Sequence, residues 1–366
     1  MRTLGTVCAG AVLSGASLVA VNAQYAREGP VMKFGPGPDT RLPSHIRRLT
    51  HFGERADFSH DGKRILFLAR TFGDVYELEL STGAIRPVTH HYPHAGYTRA
   101  LYLANGDILL SGCPEFDPKN PGRSRVHSEL FVLDRRLDRP PVPLGTKCSE
   151  GPAVSRRRMH IAWTHVAEQY PDRLPPGVSQ IHEADIVYER GVPRLANQRL
   201  VLDSRNLPFK CTLETQNFRP PNEQELTFSA YGYQSTDACG VDLRTGRVTN
   251  YSNTPDQYDE PEGIFPDGRW TCVECDRDNA LRGKGSQHID IWKLALDGSG
   301  RMERLTEFNR HPGYKASNPV VSDDGRLMAF QMARLGDPAG FGRGLFLYDF
   351  ARRARSLRQK ARIPSR

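Results

Sequence analysis

Ala56-Asp-Phe-Ser-His-Asp-Gly-Lys-Arg-Ile-Leu-Phe-Leu68 and Asn318-Pro-Val-Val-Ser-Asp-Asp-Gly-Arg-Leu-Met-Ala-Phe330 carry one pattern. A short apolar run reads into an Asp-Gly turn, and a second apolar run reads out of it. Asp-Gly and Asn-Gly are strong hairpin signals because both residues tolerate positive φ. The turn recurs at Asn105-Gly106 and Asp267-Gly268. Two further copies have lost the glycine, at Arg157-Arg158 and Asn222-Glu223, and are held by the strands after them, Met159-His-Ile-Ala-Trp163 and Leu226-Thr-Phe-Ser-Ala230. A hairpin unit repeated six times, several tens of residues apart, predicts an all-β chain and a six-bladed β-propeller of four-stranded blades.

Working outward, each turn is followed by a third strand, such as Val75–Leu80, Glu129–Leu133, Ile289–Leu296 or Gly344–Asp349. A more polar fourth strand follows at Ile85–Thr89, Val248–Ser252 and Met302–Thr306. Ile46-Arg-Arg-Leu-Thr50 matches a fourth strand yet precedes the first complete unit, so an N-terminal strand could close the ring and remove two open edges. Ala354-Arg-Ser-Leu-Arg358 competes for that place. Abundant glycine (33) and proline (27) suit a turn every ten residues or so.

Arg2, the small-residue apolar stretch Leu4–Ala20 and the Val21-Asn22-Ala23 pattern predict a signal peptide over 1–23, cleaved before Gln24. The expected organisation is then an extension at 24–44, the propeller at 45–351 and a basic, solvated tail at 352–366, in a periplasmic or secreted monomer. Six cysteines remain after cleavage, and export permits disulfides, with Cys211–Cys239 the better pair and Cys113–Cys148 the other. Cys272 and Cys275 lie three apart on a strand, hence on opposite faces, and read as buried small hydrophobes. The net charge of +8 resides in the tail, whose seven basic residues together with Arg2 account for the excess. A globule neutral apart from its ends is not expected to bind nucleic acid, whereas the tail could touch an anionic surface.

The turn pattern, together with Ile289-Asp-Ile-Trp-Lys-Leu-Ala-Leu-Asp-Gly-Ser-Gly-Arg-Met-Glu-Arg-Leu-Thr306, resembles the WD40-like PD40 repeat of TolB-type propellers. The resemblance implies a propeller, here without the α/β domain that precedes it in TolB.

Residues six to eight before each turn glycine, or its equivalent, should crowd one mouth of the central channel. Glu54, Arg55, Arg99, Glu150, Glu260, Glu262 and Asn318 are the ligand-binding candidates so selected, with Thr98, Thr215, Gln216 and Ser317 beside them. Arginine forks match carboxylate or sulfate, which points to an envelope protein or an anionic glycan as partner. His90, His91 and His94 read as surface loop residues. His288 and His311 are the catalytic candidates, His288 with Asp290 as a base–orienter pair. The sequence contains no Gly-x-Ser-x-Gly elbow, P-loop, dinucleotide fingerprint or paired metal motif, so no cofactor or metal is expected. A binding module of the envelope is the first functional expectation; a lyase or hydrolase acting on acidic oligosaccharides is the alternative.

Overall fold

The turn at Ser59–Gly62 sets the local rule. Gly62 adopts φ +66°, its N–H bonds the Ser59 carbonyl at 2.8 Å, and the Ser59 hydroxyl bonds Asp61 at 2.6 Å. The same bonds recur at Ser322–Gly325, both at 2.7–2.8 Å. Each turn delivers the chain into a strand buried on both faces, which explains the near-continuous apolar runs after it. Ile65, Leu66, Phe67 and Leu68 are all fully buried.

The computed structural model describes residues 34–148, 151–338 and 341–361. Strand β1 (Ile46–Arg48) precedes the first unit, β2 (Glu54–Phe58), β3 (Arg64–Leu68), β4 (Val75–Glu79) and β5 (Ile85–Pro87). The second unit is β6 (Tyr97–Tyr102), β7 (Ile108–Gly112), β8 (Glu129–Leu133) and β9 (Val142–Lys147), with helix α1 (Pro121–Val126) between β7 and β8. The third is β10 (Ala153–Val154), β11 (His160–Val166), β12 (Ser179–Glu189) and β13 (Val192–Asp203), whose outer hairpin is far longer than its counterparts. The fourth is β14 (Thr212–Phe218), β15 (Glu225–Tyr231), β16 (Ser235–Asp242) and β17 (Val248–Asn250). The fifth is β18 (Gln257–Ile264), β19 (Trp270–Cys275), β20 (Asp290–Ala295) and β21 (Met302–Arg304). The last is β22 (Tyr314–Val321), β23 (Leu327–Arg334) and β24 (Leu345–Asp349), followed by helix α2 (Phe350–Ala361). Within units the pairing is antiparallel, and a two-residue parallel pairing of β16 with β18 joins the fourth and fifth units.

Alternation along the second strands distributes the core between units. Ile65 and Phe67 pack with Ala329, Leu345 and Leu347 of the last unit, whereas Leu66 and Leu68 pack with Tyr97, Ile108 and Leu110 of the second. Cys272 and Cys275 obey the same rule, facing the last-unit core and the fourth-unit core respectively. Because the first unit packs on the last, the sheets close into a ring: the fold is a β-propeller. Truncating Phe67 to alanine would cost about 3–5 kcal/mol through the cavity left between two units.

The N-terminus closes the ring. β1 pairs with β24 through Ile46↔Tyr348 and Arg48↔Phe346, and the Leu49 N–H bonds the Leu345 carbonyl at 2.8 Å. The competing segment Ala354–Arg358 is not a strand but part of α2. Its alanine, arginine, leucine, glutamine and lysine are strong helix formers, and the Asp349 carboxylate accepts the Arg352 N–H at 2.8 Å. The boundary expected at 351/352 therefore falls inside a helix, and the basic tail expected over 352–366 is helical as far as residue 361, with most of its described side chains exposed. The leader lies outside the described residues. No helix among the described residues is long and apolar enough to cross a membrane.

Candidate functional site

Five of the inner strands share a distortion, all but β10. Register breaks fall at Glu54/Asp57, Tyr97/Arg99, Thr215/Asn217, Pro261/Ile264 and Ser317/Val320. Arg55 and Asn318 sit there at φ +54° and +48°. Such bulges re-aim side chains, here toward the ring axis. Most of the channel positions selected from sequence lie at or beside these breaks; Glu150 lies outside the described residues.

Arg99, Glu260, Glu262 and Asn318 converge. Arg99 Nη2 stands 3.7 Å from Glu262 Oε2, and Asn318 Nδ2 donates to Glu262 Oε1 at 3.0 Å. The Asn318 N–H bonds Glu274 Oε1 at 2.6 Å, and Tyr231 and Tyr258 hold the two oxygens of Glu260. The Glu54 carboxylate and the Arg55 backbone bond at the junction of the first and last units. Glu54 accepts from Thr71 and from the Gly342 N–H at 2.8 Å, while the Arg55 N–H bonds Gln331 Oε1 at 2.7 Å.

Glu214 and Glu274, which sequence reasoning missed, complete a buried acidic layer with Glu260 and Glu262. Burial pushes the Glu274 carboxyl up to about 8 and raises Glu260 and Glu214, each reinforced by neighbouring carboxylates. Burial also lowers Lys315, whose ammonium bonds the Ser286 carbonyl at 3.0 Å. Glu260, Glu262 and Glu274 each bring an oxygen within 4.8 Å of the others, a set able to hold protons or a hard divalent cation.

The channel opens at the turn side into a cavity of about 550 Å³ to which the inner strand or turn of every unit contributes. Phe218, Ile264, Val320 and Pro266 give it apolar walls; Arg99 and Glu262 lie among its lining residues. Arg156 crosses its rim from the third unit. Its Nε donates to Asp323 at 2.9 Å in the last unit, and its Nη2 donates to the Phe58 carbonyl at 2.7 Å in the first. Its Nη1 stands 3.4 Å from Asp57, whose carboxyl burial raises against the pull of Arg156. His60 joins Asp323 and the Leu103 carbonyl, both at 3.0 Å, and the hydrogen bond to Asp323 raises its pKa. Glu223 of the fourth unit holds Ser155 Oγ at 2.5 Å and the Arg156 N–H at 3.1 Å.

None of Asp57, His60, Arg156, Glu223 and Asp323 was selected from sequence, although a signal was present. His60, Arg156 and Asp323 each directly follow the serine that opens their turn.

The catalytic candidates lie apart from this cavity. His288 packs against Gly283 and lines a separate pocket of about 10 Å³, and His311 is exposed. The expected His288–Asp290 pair does not form, because Asp290 is fully buried on Arg304, Thr306 and Asn309. His90, His91 and His94 are exposed, as expected. Among the described residues neither Cys211–Cys239 nor Cys113–Cys148 is bridged. Cys211 nevertheless packs against the same core as the buried Cys239.

No protein-family model matches the chain, and no curated protein matches it. Solved structures similar to it include a putative TolB from Agrobacterium tumefaciens, 17% identical, TM-score 0.34, covering 82% of this chain and 91% of that one. An oligogalacturonate lyase from Vibrio parahaemolyticus is 14% identical, TM-score 0.47, covering 84% and 82%. The β-propeller domain of the trilobed protease from Pyrococcus furiosus is 10% identical, TM-score 0.46, covering 81% and 79%. At these identities the likeness concerns the fold.

Proposed function

We propose that this chain is an exported, periplasmic binding module, its six four-stranded units forming the blades of one ring and its ligand seated in the turn-side cavity. The observation that carries this reading is the cavity of about 550 Å³ rimmed by Arg156, which reaches three units at once. A pocket with apolar walls and a few convergent polar groups suits ligand capture. The arginine forks of Arg99, Arg156 and Arg157 match a carboxylate or sulfate, so the ligand is an envelope component bearing such groups: an anionic glycan, or an acidic segment of an envelope protein. The ligand's acid would replace Asp323 or Glu262 as the arginine partner. The leader-like 1–23 supports export. The enzyme alternative gains no support from His288 and His311, which lie outside the cavity.

Thermal unfolding in the presence of galacturonate oligomers, sulfated oligosaccharide and acidic peptides tests the reading. A binder present at about a hundred times its Kd should add about 2.7 kcal/mol of stability, and Arg156→Ala should abolish that gain. No shift with any of the three probes sinks the binding reading; release of a cleaved sugar product would establish the enzyme alternative instead.

A further inference from the structure

We propose that helix α2 is a docking element for an anionic lipid surface, distinct from the channel cavity. Among the described residues, its ties to the propeller lie at its start. The Phe350 ring lies 5.2 Å from Phe265 and 4.8 Å from Tyr348, and the Phe350 N–H bonds the Arg326 carbonyl at 3.1 Å. Arg353 is pinned by the Tyr348 hydroxyl at 2.5 Å, the Arg304 carbonyl at 2.8 Å and Glu303 at 3.2 Å. These contacts fix the direction of the helix as it leaves the last strand.

Beyond them the helix runs clear of the body. Its apolar positions Phe350, Ala354 and Leu357 recur at helical spacing on one stripe. Leu357 continues the Phe350 stripe two turns on and stands uncovered among the described residues. At 53% exposure it is the most exposed large apolar side chain among the described residues. Arg355 and Arg358 are exposed, one on each side of Leu357 in sequence, and among the described residues neither has an acidic partner. Other exposed arginines are of both kinds: Arg136 pairs with Asp134 at 3.0 Å and Arg194 with Glu189 at 3.1 Å, whereas Arg244 and Arg247 have no acidic partner among the described residues. From Phe350 to Arg366 the sequence holds seven basic residues and no acid.

A helix whose exposed leucine has Arg358 beside it and Arg355 on the opposite, polar face matches a headgroup layer, where leucine enters the acyl boundary while arginines stay among phosphates. Such binding needs anionic lipid, because one leucine buries too little surface to hold a neutral bilayer. An adjacent groove of about 700 Å³ is of mixed charge, lined by Arg47, Lys63 and Arg352 together with Glu79 and Asp349.

Co-sedimentation of the full chain with phosphatidylcholine vesicles, with and without phosphatidylglycerol, tests the proposal. Binding is expected only with phosphatidylglycerol, to weaken with salt, and to fall at least about tenfold in an Arg355→Glu, Arg358→Glu double variant. Leu357→Asp should weaken it as well. A control with the same change in net charge, Arg244→Glu with Arg247→Glu on the fourth unit, should bind as the wild type does, and neither pair is packed in the core. Equal binding to neutral vesicles, or undiminished binding by the Arg355/Arg358 variant, overturns the proposal. So does capture by poly-glutamate with no vesicle binding, which would assign the helix to an acidic protein.

Discussion

The turns of the first and last units and those of the third and fourth solve one problem in two ways. At Ser59–Gly62 and Ser322–Gly325 the bonds that close the turn stay inside it: serine to aspartate two residues on, glycine N–H to serine carbonyl. In the third unit Ser155 Oγ accepts the Arg157 and Arg158 N–H groups at 3.1 and 3.0 Å, then donates across to Glu223. Glu223 occupies the glycine position of the fourth unit at φ +52°, a strained conformation for a residue with a side chain. Its carboxylate is spent on the third-unit turn that presents Arg156. What looks like decay of the repeat is thus a bond between neighbouring units, made where the channel mouth needs an arginine held in place.

The comparison breaks most visibly at Arg156. Arg156→Ala leaves the buried Asp57 without its guanidinium and should cost about 2–3 kcal/mol, below the full buried-pair penalty because the arginine is a quarter exposed. Urea midpoints measure this, and a loss under about 0.5 kcal/mol would mean the guanidinium is a solvated surface group. Glu223→Gly sharpens the comparison further. If the lost glycine were mere drift, restoring it should stabilise the protein by relieving the positive φ. If the carboxylate matters as argued, losing its bonds to Ser155 and the Arg156 N–H outweighs that relief and stability falls by about 1 kcal/mol. The sign alone decides.

Architecture was legible because it is written in local terms. Asp-Gly turns, doubly buried second strands and the orphan strand Ile46–Thr50 follow from hairpin chemistry and alternation. The candidate site was legible by halves. Counting six to eight residues back from the glycine found Arg99, Glu260, Glu262 and Asn318, because bulged inner strands put those positions on the axis. It also took in Glu54 and Arg55, whose hydrogen bonds serve the seam between units. At the mouth, His60, Arg156 and Asp323 escaped because they stand two before the glycine or its equivalent, inside the turn, where a polar residue reads as solvent-facing. Only ring closure brings His60, Arg156 and Asp323 together, across separations of up to 263 residues. Glu214 and Glu274 escaped for a similar reason: nothing local marks a glutamate that faces carboxylates from other units. In α2, propensity and a cap set the helix where strand-like flanks had suggested an edge.

The smallest effect concerns a turn that is regular in sequence yet joins the mouth. His60 belongs to the self-contained first-unit turn, but its ring bonds Asp323 of the last unit, and that bond raises its pKa above the ordinary value near 6.5. Burial and the Arg156 charge oppose the shift. Raised in the folded state, the imidazolium stabilises the protein fully below about pH 6.5, and the contribution fades as pH rises through the folded value. His60→Asn should therefore cost about 0.5 kcal/mol more at about pH 5.5 than at about pH 8.5, by urea midpoints at both. A cost that stays level across this window would make His60 a neutral hydrogen-bonding spacer. A cost that narrows with rising pH would mean that even the regular turns lend a charge to the rim, so that the mouth is built by the position after the serine and not by the degenerate units alone.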